Sequence, residues 1–179
     1  KDFRDRLVPY LADVYPDPTG QVPQAPLVSG TTFDELTARE QEILDAAAPL
    51  IQTRIQMLRE CRDMLGFLFV SDSELVVDDR ARGRLKDSAA DVLDAGIWAL
   101  EGLTEEQWTA AGLEDALRAV IVEGRGMPGG EGIKPRLAFG PLRVAVTGRQ
   151  VSPPLFESME ILGSGSSLAR LRELRSRLG

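Results

Sequence analysis

The chain has 179 residues, of which 43% are hydrophobic, and carries a net charge of −7. This composition is typical of a globular protein with one sizeable core or two smaller ones, and every apolar run is broken by charge well before the roughly 18 residues of a membrane span. A single cysteine, Cys61, excludes an internal disulfide and fits a reducing compartment, so we expect a cytoplasmic protein.

Helical patterns dominate the first half of the chain. Apolar residues at fourfold spacing predict a helix over 2–15, and a Pro-rich connector follows at 16–26. Thr and early acidic residues open a second helix over 31–48. We place Pro49 at the break before a third helix, over 50–69, where the first turn tolerates proline.

The middle of the chain continues in the same way. An amphipathic pattern predicts a helix over 80–102. Thr104, followed three residues later by Gln107, is typical of a capping box that starts a short helix, and a further helix follows at 113–124. The Gly- and Pro-rich stretch 124–135 is predicted to be a mobile surface loop.

Three helices are predicted to end the chain. The first would begin near Pro141 and end before Gly148, which occupies the position of a helix-terminating glycine. The second would take Ser152 as its N-cap and end before Gly163, and the third covers 167–179. The sequence therefore predicts an all-α fold.

Charge and helix spacing suggest two lobes. We predict two helical subdomains, a helical cage or bundle each, over 1–103 and 104–179, the second with a basic C-terminal end. Residues 1–133 carry 13 basic and 25 acidic side chains, whereas residues 134–179 carry 8 basic and 3 acidic. Such asymmetry suggests a polyanionic partner. The alternative is that the arginines from Arg170 to Arg177 only solubilise the last helix.

The residue types that most often carry catalysis or bind metals are missing or scattered. The sequence has no histidine, the commonest general base and metal ligand, and one cysteine cannot build a zinc site. Carboxylates occur as neighbours such as Asp78 and Asp79, which point about 100° apart on a helix. We expect no catalytic residue and no metal site here.

The stretch around Arg143 and Ser152 is the candidate for binding chemistry. A Ser152 N-cap followed by Pro153 and Pro154 would give a rigid helix start with exposed rings, able to meet phosphate oxygens or an unstacked base. Arg143 could bind a base edge or a phosphate through its guanidinium fork. Both features also have structural explanations, as a plain helix start and a surface arginine.

The run PLRVAVTGRQVSPPLFESMEILG, over 141–163, resembles the end of bacterial-type glutamyl-tRNA synthetases. The family's pattern is approximately Pro-Leu-Arg-x-Ala-x-Thr-Gly, then Ser/Thr-Pro-x-Leu-Phe-Glu, then Leu-Gly and a final Arg-Leu helix. The match is ungapped, and the stretches 2–11, 50–69 and 99–108 extend the resemblance over nearly the whole chain. The chain departs from the family at GSGSS, 163–167, and in a longer link at 124–134.

The resemblance implies an anticodon-binding region that positions tRNA for a glutamate–tRNA ligase. The class I catalytic domain, with its ATP and magnesium, would precede Lys1, a first residue that already suggests a piece cut at a domain boundary. By position, the anticodon contacts would be Arg143, Ser152, Pro153 and Leu155, with Arg54, on a helix of the first subdomain, as a further candidate.

The partner implied is a tRNA that accepts glutamate, with glutamine-accepting tRNA left open, and the protein is expected to be a monomer without a membrane partner. The alternative function is an all-helical scaffold that binds other proteins and no RNA, since amphipathic helices can dock a partner helix.

Overall fold

The computed structural model describes residues 2–15 and 25–179, and within them all regular secondary structure is helical. The described residues form nine α-helices: α1 Phe3–Leu11, α2 Ala38–Ile51, α3 Cys61–Leu65, α4 Asp79–Gly83, α5 Ala89–Glu101, α6 Ala110–Leu117, α7 Pro135–Thr147, α8 Leu155–Leu162 and α9 Ser164–Arg177. The predicted all-α class is confirmed. Most of the predicted Pro-rich connector lies outside the described residues.

The chain divides into two compact units, Lys1–Ser71 and Asp72–Gly179. This division comes earlier than the predicted break near residue 103. The reason is packing: α5 contacts α6, α7 and α9, so it belongs to the core of the second unit. A change in charge along the sequence does not reveal which helices share a core.

The first unit packs α1 against α2 and α3. Its fully buried apolar side chains include Leu7, Val8, Leu11, Leu44, Ile51 and Leu65. The guanidinium of Arg62 donates to the carbonyl oxygens of Tyr10 and Leu11, each at 3.0 Å, and so satisfies the open C-terminal end of α1. Burial raises the pKa of the Cys61 thiol to about 12, so the thiol stays protonated at neutral pH.

The predicted break at Pro49 and the predicted helix over 50–69 are both wrong. Pro49 is exposed and lies inside the last turn of α2, so the helix continues through it to Ile51, and the burial of Ala47, Ala48 and Ile51 outweighs the hydrogen bond that the proline cannot make. After α2 the Glu60 carboxylate accepts hydrogen bonds from the backbone N–H groups of Gln56 and Met57, at 2.7 and 2.6 Å. These bonds start a new helical turn and interrupt the helix that the apolar spacing predicted.

In the second unit α5 is packed closely against its neighbours. Gly96 is buried in α5, and a Cβ at this position would lie 3.0 Å from Cδ2 of Leu142 on α7. The indole of the buried Trp108 donates to the carbonyl oxygen of Met159 at 3.0 Å, which ties the start of α6 to α8. The absence of a side chain at Gly96 thus leaves room for Leu142 of α7 to pack directly against α5.

The last helix is held by a buried arginine. Only 2% of the Arg170 side chain is exposed. Its Nε lies 2.7 Å from a carboxylate oxygen of Asp72, and its Nη1 donates to the carbonyl oxygen of Val146 at 2.8 Å. Arg170 thus joins α9 to the end of α7 and to the first residue of the unit.

We expect Arg170→Met to lower the free energy of unfolding by about 2–3 kcal/mol, because it leaves the carbonyl of Val146 and the carboxylate of Asp72 without their charged partner. The matched control is Arg172→Met, whose exposed ion pair with Glu101 should contribute less than about 1 kcal/mol. Denaturant titrations followed by tryptophan fluorescence measure both, since Trp98 and Trp108 lie in this unit. Equal losses of stability in the two variants would contradict the stabilising role of the buried Arg170.

Candidate nucleic-acid interface

The predicted site residues of the second unit lie on one feature, the turn between α7 and α8, which we call the α7–α8 corner and define as residues 143–155. Arg143 lies in α7 and is half-buried. Phe139 and Phe156, one from each helix, pack edge to face with ring centroids 5.2 Å apart. This contact braces the two helices next to the corner.

α7 begins six residues before the predicted start at Pro141. Pro135 occupies its first turn, and Pro141 lies inside the helix. Proline inside a helix removes one backbone hydrogen bond, and here the burial of the apolar face, including Leu142, Ala145 and Val146, outweighs that loss. A proline does begin α7, but it is Pro135 and not the predicted Pro141.

Gly148 ends α7 as predicted. Its φ of +75° is the left-handed conformation that favours glycine, and a Cβ here would collide with the carbonyl oxygen of Val76. The carbonyl of Gly148 accepts a hydrogen bond from the backbone N–H of Asp78 at 2.7 Å. The extended chain before α4 therefore passes directly against the corner.

Two hydroxyl groups organise the corner. Thr147 is buried and donates to the carbonyl oxygen of Arg143 at 2.8 Å, while its oxygen accepts from the backbone N–H of Arg149 at 3.1 Å. Ser152 is also buried, and its hydroxyl oxygen accepts from Nε of Arg143 at 3.0 Å. The Ser152 hydroxyl in turn donates to the carbonyl oxygen of Pro153 at 2.7 Å.

The predicted N-cap role of Ser152 is wrong. α8 begins at Leu155, with Pro154 in the cap position, and the Ser152 hydroxyl is engaged by Arg143 and by Pro153. The chain cannot enter the helix directly at Ser152 because Pro154 disfavours the α conformation for the residue before it. Ser152 therefore orients Arg143 and does not cap a helix.

The burial of the remaining site residues divides them into two groups. Pro153 and Leu155 are buried and Pro154 is half-buried, so the expectation of two exposed proline rings is wrong for Pro153. The exposed side chains of the corner are Arg149, Gln150 and Val151, the last 72% exposed. None of these three was among the predicted site residues, although a short stretch between two helix boundaries is where an exposed turn is expected.

Val76, on the segment that crosses the corner, is 81% exposed. Its carbonyl oxygen is the group that a side chain at Gly148 would meet, which places Val76 beside the corner. Val76 and Val151 are thus exposed apolar side chains at the corner and on the segment that crosses it. Nothing in the local sequence pattern predicts that Val76 approaches residues so distant in the chain.

Arg54 belongs to the first unit. The expected position on a helix is wrong, because Arg54 lies in the turn that follows α2, where it is exposed. The difference follows from the end of α2 at Ile51.

The basic C-terminal end is largely compensated by acidic residues. In addition to Arg170, the described arginines of α9 form these ion pairs: Arg172 with Glu101 at 2.6 Å, Arg175 with Asp94 at 2.8 Å and Arg177 with Glu173 at 3.0 Å. The hydrogen bond with Asp94 raises the pKa of Arg175. The positive excess of the last 46 residues therefore serves mainly contacts within the unit, and α9 is not a free basic face.

Two further properties concern ligands and membranes. Among residues 2–15 and 25–179, no group of three or more His, Cys, Asp or Glu side chains is arranged to hold a metal ion. Within the same residues, no helix combines the length and apolar character needed to cross a membrane.

The chain is similar to known proteins over almost its full length. It is 52% identical over 178 residues to a glutamate–tRNA ligase of Kocuria rhizophila and to one of Kineococcus radiotolerans, a match that covers 99% of this chain and 31% of each relative. The chain thus spans about a third of the length of these curated relatives. Its fold is similar to a crystal structure of a glutamate tRNA ligase from Elizabethkingia meningosepticum, with a TM-score of 0.63 at 16% identity, over 99% of this chain and 30% of that chain.

The family model described as the anticodon binding domain matches residues 2–175. Because that match covers nearly the whole chain, the chain belongs to the anticodon-binding-domain family.

Proposed function

We propose that this chain is the tRNA anticodon-recognition region of a glutamate–tRNA ligase. The observation that carries the proposal is the α7–α8 corner, where Ser152 holds the guanidinium of Arg143 by a 3.0 Å hydrogen bond beside an exposed turn. The similarity to glutamate–tRNA ligases supports this proposal over the protein-binding scaffold. The remaining two thirds of such a protein would hold the class I catalytic domain, its ATP and its magnesium, in a cytoplasmic monomer.

The corner suits an anticodon because it presents a preoriented arginine. A guanidinium carries five N–H donors in a plane, and it can form paired hydrogen bonds to a base edge. The bond from Nε to Ser152 and the packing around a half-buried side chain fix the orientation of that plane. Arg143 would therefore contact a splayed anticodon base with little loss of conformational freedom.

The buried residues Ser152, Pro153 and Leu155 have a different role in this proposal. Their burial means that they determine the shape of the corner, and Ser152 does so by orienting Arg143. The exposed Val151 offers an apolar contact for the face of a base, and Arg149 adds positive charge next to it.

In the first unit we propose that Arg54 provides a second RNA contact, since it is exposed in a turn. Exposed turns tolerate the approach of a nucleic acid without repacking of the core. In the proposed enzyme, contacts at the anticodon help to place the acceptor end of the tRNA at the catalytic domain.

We expect Arg143→Ala to weaken binding of a glutamate-accepting tRNA by about 1–3 kcal/mol, or roughly 5- to 150-fold, because the substitution removes a base contact. The same substitution should change binding of a tRNA with a replaced anticodon much less. Fluorescence anisotropy at low salt measures both affinities. Arg172→Ala, an exposed and ion-paired arginine of the same unit, is the matched control. Equal binding of the two tRNAs by the parent chain and no effect of Arg143→Ala would contradict anticodon recognition, and no measurable binding of either tRNA would favour the scaffold alternative.

Ser152→Ala tests the orienting hydrogen bond separately. We expect it to reduce the preference for the glutamate anticodon by about 1 kcal/mol, which is the usual net contribution of one such bond. Ser152→Thr keeps the hydroxyl and should restore most of the preference. If Ser152→Ala discriminates between the two tRNAs as well as the parent does, while Arg143→Ala does not, the orienting role is excluded.

Arg54→Ala should lower the affinity for the glutamate-accepting tRNA by about 1 kcal/mol or more, with Arg59→Ala as the control from the same unit. Arg59 is likewise exposed, so removal of its charge reports general electrostatics. An equal decrease in the two variants, measured in the same anisotropy assay, would remove Arg54 from the proposed interface.

A further inference from the structure

Three cations on and directly after α4 are exposed and unpaired. Within the described residues, the side chains of Arg80, Arg84 and Lys86 are exposed and form no hydrogen bond or ion pair. This distinguishes them from the arginines of α9, each of which pairs with an acidic side chain. Charged groups that the fold leaves unpaired are available for a ligand of opposite sign.

These cations lie on and directly after α4, which is fixed against the α7–α8 corner. Asp78 precedes α4, and its backbone N–H donates to the carbonyl of Gly148 at 2.7 Å. With a helical rise of about 1.5 Å per residue, the Cα of Arg84 lies only about 9 Å along the axis from that of Asp78. The guanidinium of Arg82 donates to the carbonyl oxygen of Arg177 at 3.3 Å, which ties the same short helix to the end of α9.

The charges within this segment are mixed, with a net charge of +1. Residues 78–87 carry four basic and three acidic side chains. The carboxylate of Asp78 is engaged within the segment, since it accepts from the backbone N–H of Ala81 at 3.3 Å. Arg80 and Arg84 are four residues apart and share a face of the helix, whereas Asp79 points about 100° away from Arg80.

We propose that Arg80, Arg84 and Lys86 bind phosphate groups of the RNA strand whose bases meet the α7–α8 corner. This inference rests on the proposed function and adds to it the path of the RNA backbone across the protein. Contacts with phosphates fix the position of a nucleic acid and carry no sequence information, while base contacts select the sequence. The corner would select the sequence, and the cations on and after α4 would fix the position of the RNA.

The test is the salt dependence of tRNA binding. The variant Arg80→Gln/Arg84→Gln/Lys86→Gln is compared with Arg172→Gln/Arg175→Gln/Arg177→Gln, which removes the same charge from α9. Each is titrated with a glutamate-accepting tRNA and with one of replaced anticodon at several salt concentrations. Circular dichroism and tryptophan fluorescence verify that both variants are folded.

We expect the α4 variant to bind both tRNAs at least about tenfold more weakly than the parent at low salt, by the same factor for each. The slope of log K against log salt should become shallower by about 0.7 for each single-strand phosphate that the variant no longer neutralises, or roughly 2 in total. The α9 variant should change the slope by less than about half as much, because its arginines are already neutralised by acidic partners.

An unchanged slope in the α4 variant, or a change no larger than in the α9 variant, would overturn the inference. A weakening confined to the tRNA with the glutamate anticodon would also overturn it, since that result would indicate base reading. If the parent chain does not distinguish the two tRNAs, the proposed anticodon recognition fails. A shallower slope in the α4 variant would then still support the phosphate contacts.

Discussion

The arrangement of the second unit depends on the buried guanidinium of Arg170. A guanidinium is always charged, so its burial requires that its donors find acceptors within the protein. It meets this requirement by joining Asp72 to the carbonyl of Val146, at the end of α7. The chain that follows Asp72 then reaches Gly148, whose carbonyl oxygen accepts a hydrogen bond from the backbone N–H of Asp78. One charged group in the last helix thereby fixes both the end of α7 and the chain that crosses it, and the α7–α8 corner is built on that frame.

This requirement also explains why the net charge of a sequence segment is a poor guide to the charge that its surface presents. The last 46 residues carry an excess of basic side chains, but the structure uses the arginines of α9 to hold α5 and the start of the unit. Arg80, Arg84 and Lys86, by contrast, stay unpaired on and directly after α4, in the part of the chain that is acidic overall. The charges that a polyanion can contact are those that stay unpaired after folding. A count of charges along the sequence does not show ion pairs between distant residues such as Arg175 and Asp94.

Local rules predicted the elements whose stabilising contacts are themselves local. The all-α class, a first helix (predicted over 2–15 and observed as Phe3–Leu11) and the glycine that ends α7 follow from apolar spacing and from conformational preference. The capping box is also local: Thr104 and Gln107 exchange hydrogen bonds across three residues, at 2.9 and 3.3 Å. The predictions failed at Pro49, Pro141 and Ser152, where a proline is outweighed by packing or a hydroxyl is engaged by an arginine nine residues earlier in the chain. Those outcomes depend on tertiary contacts that a short window of sequence does not contain.

The failure at Ser152 bears most directly on function. As an N-cap, its hydroxyl would have faced a helix terminus, and Arg143 would have been an ordinary mobile surface side chain. As an acceptor for Nε of Arg143, the same hydroxyl restricts the side chain before any ligand arrives. An unrestrained arginine gives up as much as about 2 kcal/mol of rotamer freedom when it is ordered, and that cost is subtracted from every base contact it makes. In the proposed interface, a corner that orders Arg143 during folding would remove most of this cost from binding, and the Ser152 hydroxyl would contribute to selectivity through the arginine that it orients.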